Sequence, residues 1–587
     1  MTRISVAERA RLSVLISSRA LKGLAGHIRS HPLLRWRFTT NANDRLVIAP
    51  QELRTADATR ASEIYAGRFA FSGKVVICDR RSPFEMTPPS EEWAVTLLGF
   101  GWLRHLRAAD SAITRANARA MVDDWINLQG RWHALGWRVD ILSRRVITWL
   151  SQAPLILQDA DVRFYRRFIR SLTRQVRHLR RTAGQSRDGL PRLQALIALT
   201  FVALCMQNQS RHLRASARRL SEELGRQILA DGGHISRNPG VLIELLLDLL
   251  PLRQLFTHRN VPPPSAINNA IDRIMPMLRF FRHGDGNFAL FNGMGPTPVD
   301  LLATVLAYDD ARGAPVANAP HSGYQRLERE GVLVLMDAGR APPLAISQEA
   351  HASCLAFELS ARQHRVVVNC GLPAVNRETW RQVTRATPAH STVTVNDTSS
   401  CHFLESRPFR KLLWGSPIIG GPRDIKIARE ETDEASAIDV THDGYARAFN
   451  MIHRRTLRLS ADGSILNGED SFTPARGDKF PLRLPDEFAI RFHLHPSVKA
   501  NRLTDRHGVM LTLPDRDVWT FNAYEDTVEI EESVYLAGSD GPRRTVQMVI
   551  YGHARTQPNV QWAFTHTPRA SRDSRREVRY DEPELPL

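Results

Sequence analysis

The chain has 587 residues, with 79 lysines and arginines against 61 aspartates and glutamates, which gives a net charge of +18 at neutral pH. This length exceeds what one hydrophobic core supports, so we expect two or three domains. Charged residues (24%) and hydrophobic residues (43%) occur at the levels of a soluble globular protein, and no apolar run reaches the roughly 18–20 residues that span a bilayer.

The first sixty residues are basic and weakly patterned. Arg9, Arg11 and Arg19 interrupt the apolar residues of the N-terminal stretch 1–23, so we expect no secretory signal of the usual form there. We interpret residues 1–60 as a basic segment that begins with a solvent-exposed leader; an amphipathic helix at a membrane surface is the alternative. Residues 61–90 have the pattern of short strands and loops.

From about 91 to 283 the hydrophobic periodicity is helical, and Gly- and Pro-containing turns separate the segments. The predicted helices are 91–108, 112–129, 138–150, 161–181, 190–207, 211–230, 240–256 and 265–282, with one more at 299–309. Successive helices of similar length joined by short turns indicate helical hairpins in a bundle, solenoid or toroid.

The pattern changes near residue 315. From there to about 566 the chain consists of many short strand-like runs separated by turn residues, which predicts a large antiparallel sandwich. We therefore divide the chain into the basic segment, a helical domain at 61–315, a β domain at 316–568 and a charged, disordered tail at 569–587. A cleft is expected where the helical and β domains meet.

The spacing of the cysteines and the absence of several known motifs limit the classes of enzyme that the chain can belong to. The five cysteines are scattered without CxxC spacing, so neither a disulfide framework nor a zinc ribbon is indicated. The sequence lacks GxxxxGK[ST], strand-linked GxGxxG, HExxH and GxSxG motifs. This excludes the usual nucleotide-driven enzymes, zincin proteases and α/β-hydrolases.

Two histidines precede strand-like runs in the stretch 347–397. If His351 and His390 lie on neighbouring strands and Asn369 ends another, the three side chains can converge. Two imidazoles and an oxygen ligand suit zinc or a similar divalent ion. The alternative is that these histidines are hydrogen-bonded structural residues at the starts of strands.

Further polar and aromatic residues lie in loops and helices where a substrate could bind. Arg237 and Asn238, in the tight loop DGGHISRNPG, are candidates to bind a carboxylate, and a capped turn is the alternative. Arg145 and Trp137 could pair with and stack on an acidic sugar, although tryptophans in helices more commonly pack in cores. Tyr324 is a candidate proton donor or acceptor at the domain boundary, or else an interface packing residue.

Arginine supplies nearly all of the positive charge, because only six of the 79 basic residues are lysines. Guanidinium groups bind carboxylates, sulfates and phosphates bidentately. The composition therefore predicts a polyanionic partner such as an acidic polysaccharide, nucleic acid or an anionic membrane. Arginines scattered over the surface without a function are an equally good explanation.

The chain resembles the heparinase II/III-like family over most of its length. The segments that carry the resemblance are GRFAFSG, WLSQAPLIL, DGGHISRNPGVLIELLLDLLPLR, GDGNFALFNGMG, HSGYQRLE, EAHASCLAFELS, VVVNCG, TPAHSTVTVND and DGYARAFNMIHRRTLRLS. The resemblance implies an N-terminal (α/α) toroid, a C-terminal antiparallel β-sandwich and a location in the cell envelope or periplasm. It also implies a polysaccharide lyase that cleaves uronic-acid polymers by β-elimination, with a tyrosine and a histidine as the acid–base pair.

The residue-by-residue match to the family is incomplete. His351 and His390 match family histidines, but Asn369 stands where active relatives often have aspartate. Glu349 replaces another histidine, and the family tyrosine that often follows the loop at 237–240 is missing. The remaining candidates for proton transfer are Tyr324, His234 and His351.

The working hypothesis is a two-domain lyase-like protein that binds an acidic polysaccharide between toroid and sandwich, with at most one divalent metal (zinc or calcium) and no organic cofactor. A catalytically silent polysaccharide-binding protein of the envelope is the main alternative. A nucleic-acid binder is a third, although no known binding module is present, and we expect no nucleic-acid partner. The sequence predicts no oligomeric state.

Overall fold

The computed structural model describes residues 5–30, 45–309, 313–375 and 377–567. Its N-terminal half is helical and forms an (α/α) toroid, and its C-terminal half is an antiparallel β-sandwich, which confirms the predicted fold class. The change from helix to strand falls between Leu306 and Asn318, next to the predicted boundary. The predicted tail at 569–587 lies outside the described residues.

Most helices of the N-terminal half lie where the periodicity predicts them. The helices are α1 Val6–Ser30, α2 Ala58–Tyr65, α3 Glu91–Gly99, α4 Leu103–Ala109, α5 Ala112–Leu128, α6 Val139–Ser151, α7 Ala153–Leu157, α8 Val162–Thr182, α9 Leu190–Cys205, α10 Leu213–Gln227, α11 Gly240–His258, α12 Ser265–Phe280 and α13 Val299–Leu306. The predicted helix 91–108 is two helices, because Phe100 adopts the left-handed conformation (φ 61°) that ends α3.

Local sequence explains where these helices start and which face they bury. Asp161 caps α8 by accepting a hydrogen bond from the backbone N–H of Phe164 at 2.7 Å, and the helix then buries Phe168, Leu172 and Leu179 along one side. In contrast, α11 is apolar around most of its circumference and lies within the toroid core.

The C-terminal half contains an eight-stranded and a nine-stranded sheet. Its strands are β3 Asn318–Ala319, β4 Tyr324–Arg329, β5 Val332–Asp337, β6 Phe357–Ala361, β7 His364–Val368, β8 Val393–Val395, β9 His402–Phe403, β10 Ile418–Gly420, β11 Ile425–Glu431, β12 Ala435–His442, β13 Met451–Ser460, β14 Ile465–Pro474, β15 Glu487–Leu494, β16 Lys499–Arg502, β17 Gly508–Thr512, β18 Val518–Asn522, β19 Glu529–Tyr535, β20 Arg543–His553 and β21 Asn559–Thr567. Short helices α14 Arg377–Thr384, α15 Arg407–Leu412 and α16 Ala446–Phe449 interrupt them. A separate hairpin, β1 Arg68–Phe71 with β2 Lys74–Ile77, precedes the toroid helices.

The two large sheets are antiparallel and pack through aromatic side chains. One runs in the order β11-β12-β13-β14-β21-β18-β17-β16, and the other runs β19-β20-β15-β7-β6-β5-β4-β3, with β8 paired to β15. Phe357 of the second sheet stacks on Trp562 of the first at a centroid distance of 5.6 Å, and Phe492 meets the same tryptophan edge-on at 4.9 Å. These contacts fix the spacing of the layers.

The N-terminal helix is not the exposed leader that the sequence suggested. Glu8 forms salt bridges with Arg423 and Arg447 of the sandwich, and α1 also contacts α15, β10 and the 3₁₀ turn Ala183–Gln185 of the toroid. Because Glu8 and Arg19 are buried, α1 packs across both halves of the molecule. Within the described part of the chain, every helix is too short or too polar to cross a bilayer.

All five cysteines are buried free thiols, as expected for residues within apolar segments.

Candidate functional site

The toroid and the sandwich meet around the buried side chain of Tyr324, the first residue of β4. Its hydroxyl donates to the carbonyl oxygen of Arg237 at 2.6 Å and accepts from Nδ2 of Asn292 at 2.7 Å. Burial raises the pKa of Tyr324 well above its usual range. The phenol therefore stays protonated and engaged with protein groups, and this geometry does not support its predicted role in proton transfer.

Arg237 connects the toroid loop to the sandwich through every N–H group of its guanidinium. Nε donates to the carbonyl of Ser322, Nη1 to those of Gly339 and Arg340, and Nη2 to the carbonyl of Gly323 and the carboxylate of Asp337. The side chain also lies over the Tyr324 ring, 4.7 Å from its centroid. With no donor left, Arg237 is an interface anchor here, and the predicted contact to a substrate carboxylate is not supported.

His234 is similarly satisfied inside the toroid. Its Nδ1 accepts from the backbone N–H of Ser236 at 3.1 Å, so Nε2 carries the proton and donates to Oε1 of Gln227 at 2.8 Å. Burial lowers the pKa of His234 to about 3. The imidazole is therefore a neutral structural group, which corresponds to the alternative interpretation of this loop.

Arg145 and Trp137 belong to the toroid core and do not reach a cleft. Arg145 is completely buried, with Nε bonded to Gln175 at 2.7 Å, its Nη atoms bonded to backbone carbonyls, and its guanidinium over the ring of Trp125. The indole N–H of Trp137 donates to the carbonyl of Gln129 at 3.2 Å. Their predicted contacts with a sugar are incompatible with this packing.

His351 and His390 do come together, as their spacing suggested. Their ring centroids lie 5.0 Å apart, both rings are buried, and Nδ1 of His351 and Nε2 of His390 have no hydrogen-bond partner among the described residues. Burial, and then the neighbouring His390 and arginines, lower the pKa of His351 well below its ordinary value. Burial also lowers the pKa of His390 to about 3. Both imidazoles are therefore neutral at physiological pH.

The third predicted metal ligand lies beside this pair but is already engaged. Oδ1 of Asn369 accepts from the backbone N–H of Ser391 at 3.0 Å and lies 3.3 Å from Nδ1 of His390. Its Nδ2 donates to Glu358 at 3.0 Å, which fixes the orientation of the amide.

This donor set is incomplete for a divalent ion. The two neutral imidazoles each keep an unpartnered nitrogen among the described residues, as metal ligands would, but the oxygen of Asn369 is already bonded. In the described ranges no three His, Cys, Asp or Glu side chains group as a metal site would require. The metal stays a prediction, and no chemical step below depends on one.

A group of half-buried polar residues surrounds the buried Gly293, where the toroid loop meets the segment before His351. A Cβ placed on Gly293, whose φ is +91°, would lie 3.1 Å from Nδ2 of Asn238 and 3.1 Å from the carbonyl oxygen of Glu349. Nη2 of Arg377 donates to the Gly293 carbonyl at 3.2 Å, and Arg381 pairs with Glu349 at 3.3 Å. Glycine at this position therefore lets the toroid loop and the segment before His351 approach closely.

Asn238 retains a free donor in this group. Its Oδ1 accepts from the backbone N–H of Gly240 at 2.9 Å, which leaves Nδ2 directed toward Gly293. We define Asn238, Gly293, His351 and Arg377 as the interface cluster. The sequence pattern pointed to Asn238 and His351 but not to Asn292, Gly293 and Arg377, although the motif FNGMG contains the first two of these three.

The fold and this interface define a heparinase-type protein. Residues 311–563 match the family described as Heparinase II/III-like, C-terminal. Together with the relative described next, this match shows that the chain belongs to the heparinase II/III-like family.

The similarity extends over the whole chain. FtsZ-localized protein C of Caulobacter vibrioides is 30% identical over 522 residues, which cover 88% of this chain and 89% of that protein. The crystal structure of heparinase III superposes with a TM-score of 0.70 at 14% identity, covering 97% of this chain and 92% of that one. A mutant of the heparan sulfate lyase HepC from Pedobacter heparinus superposes with a TM-score of 0.61 at 14% identity, covering 96% and 89%. At these identities the two structures show a shared fold.

Proposed function

We propose that this protein binds an acidic polysaccharide at the interface cluster and does so without cleaving it. The observation that supports the proposal is a difference in hydrogen bonding between two groups of residues at the interface. Tyr324 and His234, two of the groups predicted to move protons, are fully hydrogen-bonded inside the protein, whereas Asn238 and Arg377 are half-buried polar residues beside Gly293.

The chemistry of the cluster suits a uronate carboxylate. An amide N–H from Asn238 and guanidinium N–H groups from Arg377 are donors that bind carboxylate oxygens, and charge-assisted bonds of this kind are the stronger ones. Gly293 has no side chain, so the amide of Asn238 can lie close to the segment before His351. The neutral imidazole of His351 can add a hydrogen bond to a sugar hydroxyl.

Asn238→Ala and Arg377→Gln test this assignment. Each should weaken binding of heparin or polygalacturonate about tenfold in isothermal titration calorimetry, because each removes a hydrogen bond to a charged group. Arg458→Gln removes an equal charge from an exposed position on the sandwich and serves as the matched control. If all three variants bind like the parent protein, the interface cluster is not the site.

A second candidate function is β-elimination itself. It is favoured by one observation, the neutral imidazole of His351 with an unpartnered Nδ1, because such a group can accept the proton next to a uronate carboxylate. The departing sugar oxygen would then need a donor other than Tyr324. In this case uronate polymers would yield an ultraviolet-absorbing unsaturated product, and His351→Ala would abolish it.

We also propose a place of action. The relative at 30% identity is named for its localisation with FtsZ, and the alignment covers most of both chains. A fluorescent fusion of this protein should therefore coincide with labelled FtsZ in dividing cells. A signal that does not follow FtsZ would contradict the proposal. If that signal were spread evenly over the envelope, it would favour the location that the family resemblance implies.

A further inference from the structure

A cavity with a few polar groups in a mainly apolar lining lies where α1 crosses from the sandwich to the toroid. It has a volume of about 550 Å³ and is lined by Arg19 of α1, Gln185 of the toroid, and Lys411 and Trp414 of the sandwich. Three separate parts of the chain therefore build its walls. The proposed roles of the interface cluster do not use any of these residues.

The cavity contains hydrogen-bond donors without acceptors. Arg19 is only 7% exposed, yet its Nη1 is buried with no hydrogen-bond partner in the described ranges, and the same holds for Nε2 of Gln185. Buried donors are almost always paired, because a donor that leaves water without finding an acceptor destabilises the fold. Two such donors in one cavity therefore indicate that an acceptor binds there.

The cavity is also positively charged. The guanidinium carbons of Arg19 and Arg187 lie 4.5 and 4.9 Å from the centroid of Trp414, so one indole ring holds two cations. No salt bridge in the described residues joins Arg19, Arg187 or Lys411 to a carboxylate. Asp188, the carboxylate that acts on Arg19, is itself paired with Arg226.

These observations point to an oxyanion as the missing acceptor. A carboxylate or sulfate has two or more oxygens that can accept simultaneously from a guanidinium and an amide, and it would neutralise the cations on Trp414. A neutral sugar hydroxyl would leave that charge uncompensated.

The cavity neighbours the interface cluster. Nε2 of Gln348 donates to the carbonyl of Leu413 at 3.3 Å, which joins the segment before His351 to the residue before Trp414. Gly415 lets the two segments approach, because a Cβ on it would lie 3.3 Å from the Gln348 side chain. The chain segments that carry the cavity and the interface cluster are therefore in direct contact.

We infer that the cavity at Arg19, Gln185 and Trp414 is an oxyanion subsite that holds a carboxylate or sulfate of the polysaccharide, so that α1 forms one wall of the binding surface. The inference rests on the proposed function for the identity of the polymer. The presence of an anion site does not depend on it.

Calorimetric titration with two probes, sodium sulfate and a heparin hexasaccharide, tests the inference on the full chain. Arg19→Gln and Gln185→Met should each weaken both probes, the hexasaccharide about tenfold or more. Arg11→Gln alters an exposed arginine on the same helix and should leave both affinities unchanged. Gln185→Met does not change α1. If Arg19→Gln displaces the helix, the affinities of Gln185→Met therefore test whether the cavity binds the anion.

The outcomes separate the subsite from the proposed function. Hexasaccharide binding that is equal in all variants would overturn the subsite and leave the proposed function in place. If the parent protein binds sulfate but not the hexasaccharide, and Arg19→Gln no longer binds sulfate, the anion site is supported and the proposed polysaccharide binding is overturned. Failure of the parent protein to bind either probe would overturn both.

Discussion

At the scale of single residues, the hydrogen bonds of each side chain indicate whether it is available for proton transfer or is a structural group. The residues that resemble family catalysts differ in this respect: Tyr324 and His234 have all their partners inside the protein, whereas His351 retains an unpaired nitrogen. A buried phenol that donates to a backbone carbonyl and accepts from an amide contributes to stability. Its loss should therefore be seen first in unfolding.

Tyr324→Phe should lower the free energy of unfolding by about 1–3 kcal/mol, because the carbonyl of Arg237 and Nδ2 of Asn292 both lose their partner. Urea denaturation followed by circular dichroism measures this change. Tyr524→Phe, at a half-exposed tyrosine, is the control and should shift stability by no more than about 0.5 kcal/mol. Unchanged stability of Tyr324→Phe would show that the interface network is not as described.

The replacement of a family carboxylate by Asn369 has a consequence that can be measured. Nδ2 of Asn369 donates to Glu358, so Asn369→Asp would place a second carboxylate against the first and destabilise the fold. Thermal denaturation should show a lower Tm for the variant, and zinc chloride should leave the Tm of the parent protein unchanged. A zinc-dependent rise in the parent Tm would restore the metal site that the sequence suggested.

At the scale of secondary-structure elements, one helix and one buried ion pair stabilise the arrangement of the site. The first is α1, fastened to the sandwich by Glu8 and reaching the toroid at its other end. The second is Arg455 of β13, whose Nη1 donates to the carbonyls of Leu355 and Ser391 at 2.9 Å while its other nitrogens pair with Asp470. Arg455 therefore supports the loops that carry His351 and His390.

The attachment of α1 should depend on pH. Burial alone would raise the pKa of Glu8, but hydrogen bonds from the backbone of Ser5 and from Arg447 lower it to about 2 from a model-peptide value of 4.5. A lowered pKa stabilises the folded state above pH 4.5, and this stabilisation is lost as the pH falls from 4.5 toward 2.

The protection factors of the α1 amides, which are the intrinsic exchange rates at each pH divided by the observed rates, should therefore fall over that pH range in the parent protein. In Glu8→Gln they should be low at every pH. Glu434→Gln, at an exposed site, should behave as the parent does. High protection factors in Glu8→Gln would show that this ion pair does not fasten the helix.

The ion pair beneath the two histidine loops should be the most sensitive to mutation. Asp470→Asn leaves the fully buried guanidinium of Arg455 without a counter-charge, which should cost about 3–5 kcal/mol in chemical denaturation. Asp439→Asn breaks the pair with Arg454 on the adjacent strand, where both side chains are partly exposed, and should cost less than about 1 kcal/mol. Equal effects of the two changes would contradict the assignment.

At the scale of the whole molecule, the pattern of apolar residues predicted a helical half followed by a sandwich, because both periodicities persist over long stretches. The pattern left a bundle, a solenoid and a toroid open, and only the resemblance to the heparinase II/III-like family implied the toroid. The pattern did not predict how α1 packs, since Glu8 and Arg19 are charged residues that only the tertiary fold buries. His351 and His390 lie close together, and Asn369 contacts His390, but the two histidines are in loops before β6 and β8 and, contrary to the prediction, do not open neighbouring strands. Spacing could not show that Arg237 and Tyr324 use up their donors on backbone groups distant in sequence.

The most direct test of binding without cleavage is a titration with polysaccharides in which two quantities are measured. The parent protein is mixed with heparin, heparan sulfate, alginate and polygalacturonate, and both the heat of binding and the ultraviolet absorbance of an unsaturated uronate are recorded. We predict saturable binding to at least one polymer that weakens as salt is added, with no rise in absorbance. Steady accumulation of the absorbing product, lost in Tyr324→Phe while that variant remains folded, would contradict the claim that the buried interface tyrosine is structural.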